Sequence, residues 1–218
     1  IFCNSISTAN DLNYFYKVPK HKLFPVKLGF NNTEYYPTKH NKENFFLIIG
    51  RHNPHKNLER VLRAFSLSNT KGHKIVFVGP FDKRYTPKLV KLTKTLNIGH
   101  LCEWKGWISD NEKLVLLNQC KALIIASLWE GFGLPALEAM ACGTPVIASN
   151  QGALPEVVAD CGILIDPLDT HSISSAMNEI MDDNMWVDNV RKKGPLRAAS
   201  FNWLKTASQI EKVIQENH

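Results

Sequence analysis

The sequence predicts an α/β fold: a Rossmann-like, doubly wound parallel sheet with helices on both faces. Three observations carry this expectation. Short continuous apolar runs alternate with segments whose apolar residues recur at helical spacing. The first two runs stop at glycine, Phe45–Ile49 at Gly50 and Lys74–Val78 at Gly79-Pro80, as buried strands do where they leave a sheet. The alternation continues along the chain, and a strand–helix–strand repeat joins parallel neighbours through crossover helices. Ligands of such sheets bind beyond the carboxyl ends of the strands. Function is therefore expected just after them, around Gly50, Gly79, Gly106, Ser127–Gly133 and Ser149–Gly152.

Taken in order, residues 1–43 read as a loop-rich lead-in interrupted by Pro19, Pro25, Pro37 and Asn31-Asn32. One helix is expected there near Asp11 to Tyr16, and one short strand from Leu23 to Val26. Phe45–Ile49 opens the sheet, and Leu58, Val61, Leu62 and Phe65 then fall on one helical face. Lys74–Val78 is the second strand, followed by a Leu89, Leu92, Leu96 stripe. Leu101 to Trp104 is the third, leading to Gly106. Ser109 and Glu112 form a capping box ahead of Leu114–Leu117. Ala122 to Ala126 is the fourth strand, and a helix opens near Pro135, since proline suits a first helical turn. Val146–Ala148 and Ile163–Ile165 complete six strands, with a short helix near Glu156 between them. Beyond Asp169 the chain reads as helical, broken at Gly194-Pro195, and closes with an amphipathic helix from Trp203 to Ile214.

Composition narrows the function classes. The chain has 218 residues, 44% hydrophobic and 21% charged, with 12 Gly and 11 Pro, which excludes a disordered, collagen-like or disulfide-dense chain. No apolar stretch approaches the ~20 residues that cross a bilayer. The start at Ile1 is neither an initiator Met nor a signal peptide, so a piece of a longer protein is expected. The formal charge, 26 − 20 = +6, favours an anionic partner: nucleic acid, an anionic membrane surface or a phosphorylated small molecule. The densest cluster, Arg191-Lys192-Lys193, reads as a solvated helix face. With neither a long basic stripe nor an aromatic platform, nucleic acid is not expected as a partner. The five cysteines lie in or beside apolar segments without a C-x-x-C pair, as reduced buried thiols do, so neither disulfides nor zinc are expected.

The sharpest local signal is Glu130-Gly131-Phe132-Gly133-Leu134-Pro135-Ala136-Leu137-Glu138. A strand runs into a Gly-x-Gly turn and a Pro-started helix. Glycines permit close approach of a ligand, and free N–H groups at the helix start bind anions. The flanking carboxylates suit hydroxyl groups. A diphosphate flanked by polyols uses all of these at once, and a nucleotide sugar is such a ligand.

Glu130 and Glu138, eight positions apart, form an E-x7-E pattern that resembles the donor site of retaining glycosyltransferases of the GT-B fold, family 4. Gly50-Arg51 with Lys56-Asn57 resembles that family's G-R-x-x-x-x-K-N, and Gly79 and Gly106-Trp107-Ile108 match its glycine positions near the nucleobase. Ala139–Ala148 resembles A-M-A-x-G-x-P-V-I-A. Gly152–Glu156 resembles G-G-x-P-E with its second glycine replaced, and Leu28-Gly29-Phe30-Asn31 stands where N-G-V-D is usual. The resemblance extends over essentially the whole chain and is confined to the C-terminal, donor-binding half of the GT-B architecture.

The resemblance implies a division into a lead-in from a missing N-terminal domain (1–43), a nucleotide-sugar-binding domain (44–200) and a crossover helix (201–218) with a partly exposed apolar face of Trp203, Leu204, Ile210 and Val213. It implies transfer of a sugar, with retention, from a nucleoside diphosphate sugar to a hydroxyl acceptor bound mainly by the missing domain, in polysaccharide, lipopolysaccharide or glycolipid synthesis. Arg51 and Lys56 would neutralise the diphosphate and Glu130 would hold the sugar; these three are the candidate catalytic residues. Gly50, Gly106, Ile108, Phe132, Gly133, Leu134 and Glu138 are the candidate donor-binding residues, with Glu138 on the ribose and the Phe132 ring packing. No His-x-x-x-His or Asp-x-Asp pattern indicates a metal, so neither metal nor cofactor is expected. His52 and His55 read as loop residues, and Glu156 as a helix-dipole partner outside the site. The expected location is the cytoplasm, with peripheral attachment at the inner face of the membrane left open. Two alternatives stand beside this reading: a non-catalytic nucleotide-binding module, and another GT-B enzyme such as a sugar-nucleotide epimerase.

Overall fold

The computed structural model describes residues 1–70, 72–182 and 185–216. Its strands are β1 (Phe2–Cys3), β2 (Phe24–Pro25), β3 (Phe45–Ile49), β4 (Lys74–Val78), β5 (Cys102–Lys105), β6 (Ala122–Ile125), β7 (Val146–Ser149) and β8 (Gly162–Ile165). Its α-helices are α1 (Ile6–Tyr16), α2 (Leu58–Leu67), α3 (Thr86–Thr95), α4 (Asp110–Gln119), α5 (Leu134–Ala141), α6 (Leu154–Val158), α7 (Thr170–Met181), α8 (Met185–Ala199) and α9 (Trp203–Glu216).

Six strands form one parallel sheet in the order β5-β4-β3-β6-β7-β8, the doubly wound arrangement expected. Strand alternation builds two cores. Phe46, Ile48, Ile75, Phe77, Ile124 and Ile147 face α2, α3 and α7, meeting Leu62, Phe65, Leu89, Ile173 and Met177. Leu47, Val76, Leu123, Ile125, Val146 and Ala148 face the other way, toward Leu117 of α4, Leu137 and Met140 of α5, Val157 of α6 and Ala198 of α8. With both faces covered, the strands are apolar throughout, which is why the sequence shows runs and not alternation.

The winding direction reverses between β3 and β6. From β3 the chain builds outward through β4 and β5, then returns to lay β6 on the other side of β3. The two loops leaving β3 and β6 therefore diverge, and a crevice opens between them. At this edge the backbones are very close: a Cβ on Gly79 would lie 2.3 Å from the Gly50 carbonyl oxygen. Gly79 has φ +138°, and its N–H donates to the Gly106 carbonyl at 3.1 Å, so the ends of β3, β4 and β5 form one layer.

Three expectations need correction. The lead-in is more ordered than its prolines indicate. β1 and β2 pair in parallel around α1, whose Ser5 cap accepts the Thr8 N–H at 3.0 Å, over a small core of Cys3, Ala9 and Leu23. Glu156 does complement a helix N-terminus, but that of α1: its carboxylate accepts the Ile6 and Ser7 N–H groups at 3.1 and 3.0 Å. Helix α8 runs unbroken through Gly194-Pro195. A Cβ at 194 would come within 2.8 Å of the Met140 carbonyl oxygen, so this glycine lets α8 lie against α5, and that packing offsets the proline.

The closing helix matches its expectation. Only Thr206 of α9 is buried, whereas Trp203 is 55% and Leu204 85% exposed. Among the described residues no helix is long and apolar enough to cross a membrane. The cysteines are free, all buried except the half-buried Cys102. Burial pushes the thiols of Cys102, Cys120 and Cys142 up to about 12, and raises Cys161 as well.

The strand-end glycines are expected to differ in tolerance. Gly79→Ala must displace the Gly50 backbone, and a loss of ~3 kcal/mol is expected. Gly106→Ala meets nothing within 4 Å and should leave stability unchanged. Thermal unfolding checks this: Gly79→Ala should lower Tm by roughly 6–12 °C, and equal midpoints would remove the close packing as the reason for Gly79.

Candidate functional site

The crevice at the winding reversal is tied across by three contacts. The Leu128 N–H, after β6, donates to the His55 carbonyl, after β3, at 2.8 Å. Asn57 adopts a left-handed backbone, φ +58°, at the start of α2. Its buried carboxamide donates to the Ala126 carbonyl at 3.0 Å and to the Pro167 carbonyl, beyond β8, at 2.7 Å. Beside it Lys56 Nζ reaches Glu130 Oε1 at 2.5 Å, and the Ser127 hydroxyl donates to the same oxygen at 2.7 Å.

Glu130 is seated from behind as well. Ala153 N–H donates to its carbonyl at 2.9 Å, and a Cβ on Gly152 would approach that oxygen to 2.6 Å. The loop after β7 is thus pressed onto the Glu130 backbone, and its single retained glycine makes this contact. The Lys56 and Glu130 side chains are 21% and 17% exposed, so the pair lies in a crevice and not on open surface. Arg51 is exposed, and its side chain makes no ion pair among the described residues.

The turn after Glu130 leads into α5 without a side-chain cap. Ser5, Ser109 and Asp169 cap α1, α4 and α7, whereas α5 has Gly133 at that position. Pro135 carries no N–H and the Ala136 N–H donates to the Gly133 carbonyl at 2.9 Å, so the Gly133 and Leu134 N–H groups are the ones left at this end for solvent or an anion. Gly133, φ +100°, is required by the turn and by Leu154, whose Cδ2 a Cβ would meet at 2.6 Å. Here glycine serves chain packing. Phe132 is buried edge-to-face against Phe201, as a packing residue, while Leu134 is 41% exposed. Gly50 lies under Lys56: a Cβ there would sit 3.1 Å from Lys56 Cε. Gly106 borders open space, and Ile108 packs against the core beside Leu114.

Glu138 does not join the Lys56–Glu130 pair. It pairs with Lys113 of α4 at 2.7 Å, and the Lys113 cation also faces the Tyr35 ring at 5.1 Å. Sequence reasoning missed Lys113 and Ser127. Ser127 lies in the expected functional segment, three residues before Glu130. Lys113 follows the capping box directly, but nothing local indicates its distant partner.

His52 is not a surface loop residue. It is buried among Phe77, Phe81 and Trp104, with Nδ1 3.0 Å from Thr86 Oγ1. That hydroxyl also accepts the Asp82 N–H at 2.9 Å. Burial lowers the His52 pKa below the ordinary 6.5 and keeps the ring neutral. His55 is exposed. Among the described residues no three His, Cys, Asp or Glu side chains gather as a metal site requires.

Fold and crevice define a doubly wound α/β domain that brings a lysine–glutamate pair together at its winding reversal, beside the uncapped start of α5. The chain belongs to the glycosyl transferases group 1, matching that family over residues 34–197. It is 30% identical over 169 residues to the O-antigen chain mannosyltransferase B of Escherichia coli, across 77% of this chain and 44% of that protein. It is similar in structure to sucrose-phosphate synthase from Thermosynechococcus elongatus, with TM-score 0.87 and 26% identity over 99% of this chain and 57% of the other. The same fold recurs in Anabaena HepE in complex with UDP-glucose, TM-score 0.88 at 18% identity, over 99% of this chain and 63% of that one. The chain spans about half the length of the curated relatives it matches.

The neutral His52 predicts an acid sensitivity. Between the folded pKa and 6.5 the unfolded chain binds a proton that the folded chain does not, so stability falls as pH drops below about 6.5. Urea midpoints are expected to be lower at about pH 5 than at about pH 7. His52→Phe should shrink that difference, and an unchanged difference would assign the sensitivity to other groups.

Proposed function

We propose that this chain is the donor-binding half of a retaining glycosyltransferase that takes a nucleoside diphosphate sugar. The observation that carries the reading is the meeting of Lys56 and Glu130 in the crevice between the β3 and β6 loops, beside the uncapped start of α5. Arg51, Lys56 and the N–H groups of Gly133 and Leu134 at the start of α5 receive the diphosphate. Glu130 accepts hydrogen bonds from sugar hydroxyls and offsets positive charge developing at the anomeric carbon. Glu138 accepts from the ribose. Gly106 and Ile108 border the base. Gly50, Phe132, Gly133 and Leu134 shape the backbone around the phosphates and sugar.

In this reading the bond from the anomeric carbon to the phosphate oxygen breaks, and its electron pair leaves with the diphosphate. The acceptor hydroxyl attacks the same face and its proton passes to the departing phosphate oxygen, which gives retention without a protein nucleophile. Cations and a helix terminus take the place of a metal at the leaving group.

β1, α1 and β2 are assigned to the domain that supplies the acceptor site. Two strands of two residues make no independent sheet, and the family match begins beyond them, at residue 34. By this assignment the chain alone binds donor weakly and transfers nothing, because closure of two domains positions the acceptor.

Calorimetry with nucleoside diphosphates and their sugars tests the reading. Arg51→Ala and Lys56→Ala should each weaken diphosphate binding by ~1.5–3 kcal/mol and spare the unphosphorylated nucleoside. Glu130→Gln should weaken the nucleotide sugar more than the bare nucleotide. Equal losses for both ligands would overturn these roles. Binding should survive EDTA; recovery only on adding Mg²⁺ or Mn²⁺ would overturn the metal-free assignment.

A further inference from the structure

The Glu138 carboxylate is divided between two environments. Oε2 is fully buried and accepts no well-aligned hydrogen bond; its contact is the charge of Lys113, with Nζ at 2.7 Å. Oε1 reaches solvent and accepts no hydrogen bond among the described residues, and the side chain as a whole keeps 14% exposure. One oxygen is held inward and the other is presented outward.

Lys113 is an unexpected residue for its position. It stands near the start of α4, behind the Ser109 cap, where a cation opposes the helix dipole. It is only 18% exposed on its side chain. Burial drives the ammonium toward neutrality, but the Glu138 carboxylate and Tyr35 outweigh burial and hold it above the ordinary lysine value. Its surroundings, not its helix, account for the charge: a carboxylate on one side and the buried Tyr35 ring on the other.

We propose that Lys113 is a positioning residue that makes the site select ribonucleotides over deoxyribonucleotides, by pinning Glu138 Oε2 so that Oε1 faces the ribose hydroxyls. The proposal rests on the ribose role of Glu138. Lys113 itself does not touch the nucleotide. Without it, the buried oxygen has no counter-charge. The carboxylate then turns toward solvent, and Oε1 is no longer a fixed acceptor.

The test compares GDP and UDP with their 2′,3′-dideoxy forms by calorimetry on this chain. In the wild-type chain the dideoxy forms should bind roughly tenfold to a hundredfold more weakly, the range for a hydrogen bond to a charged group. Lys113→Met should bring that ratio toward unity by weakening only the ribonucleotides, and Lys113→Arg should restore it. Lys113→Gln, neutral and polar, serves as the second variant if Lys113→Met does not fold, with the same lowered ratio expected. Equal weakening of both forms would make Lys113 merely structural, and an unchanged ratio would give it no role. Glu138→Gln separates the two failures. If it leaves the ratio intact, or if the wild-type chain binds neither nucleotide, the ribose reading falls and this proposal with it. If it abolishes the ratio while Lys113→Met does not, only the Lys113 proposal falls.

Discussion

The carboxamide of Asn57 is the contact on which the edge depends. The loops leaving β3 and β6 diverge by topology, and without a tie each would settle independently. Asn57 joins the end of β6 to the segment beyond β8 by donating to two carbonyls, and Arg60 in turn donates to its oxygen at 2.8 Å. These carbonyls lie inside the protein, where an unmet polar group costs ~1–3 kcal/mol. The geometry is therefore enforced, not merely favoured. Lys56 precedes Asn57 directly, so fixing Asn57 aims the lysine at Glu130. The same economy acts behind Glu130, where Gly152 and Ala153 fix its backbone.

The charges near the crevice are already partly matched in the free chain. Glu130 neutralises Lys56 and Glu138 neutralises Lys113, while Arg51 is left exposed. In the proposed reading an arriving diphosphate meets the exposed Arg51 guanidinium first. It can then share Lys56 without stripping a fully hydrated ammonium, since that side chain is mostly withdrawn from water already. The modest net charge of +6 adds a weak long-range pull on anions.

Much of this was legible in the sequence. Buried parallel strands must be continuous apolar runs, so β3, β4 and β6 stood out. The cap at Ser109 and the proline after Leu134 marked their helices correctly. What escaped has physical causes. β1 is two residues long and gains meaning only from pairing with β2, itself inside the expected Leu23–Val26 strand, across more than twenty positions. Gly194 resembles a helix break, yet its purpose is close approach to Met140, a residue far away in the chain. Lys113 and the partner of Glu156 are matters of tertiary contact. A carboxylate's neighbour on another helix leaves no local periodicity.

The withdrawal of the thiols has a practical side. At neutral pH an ordinary thiol is a few per cent thiolate, whereas one at about 12 is thiolate to roughly one part in 10⁵. Maleimides and related reagents react through the thiolate, so Cys102, Cys120 and Cys142 form a nearly silent background, while Cys3 and Cys161 are shielded by burial. A single cysteine introduced at an exposed position of this edge, such as Trp107, would carry a fluorophore without first stripping the others from the core. The packing that closes the sheet thereby leaves the molecule ready for site-selective optical labelling.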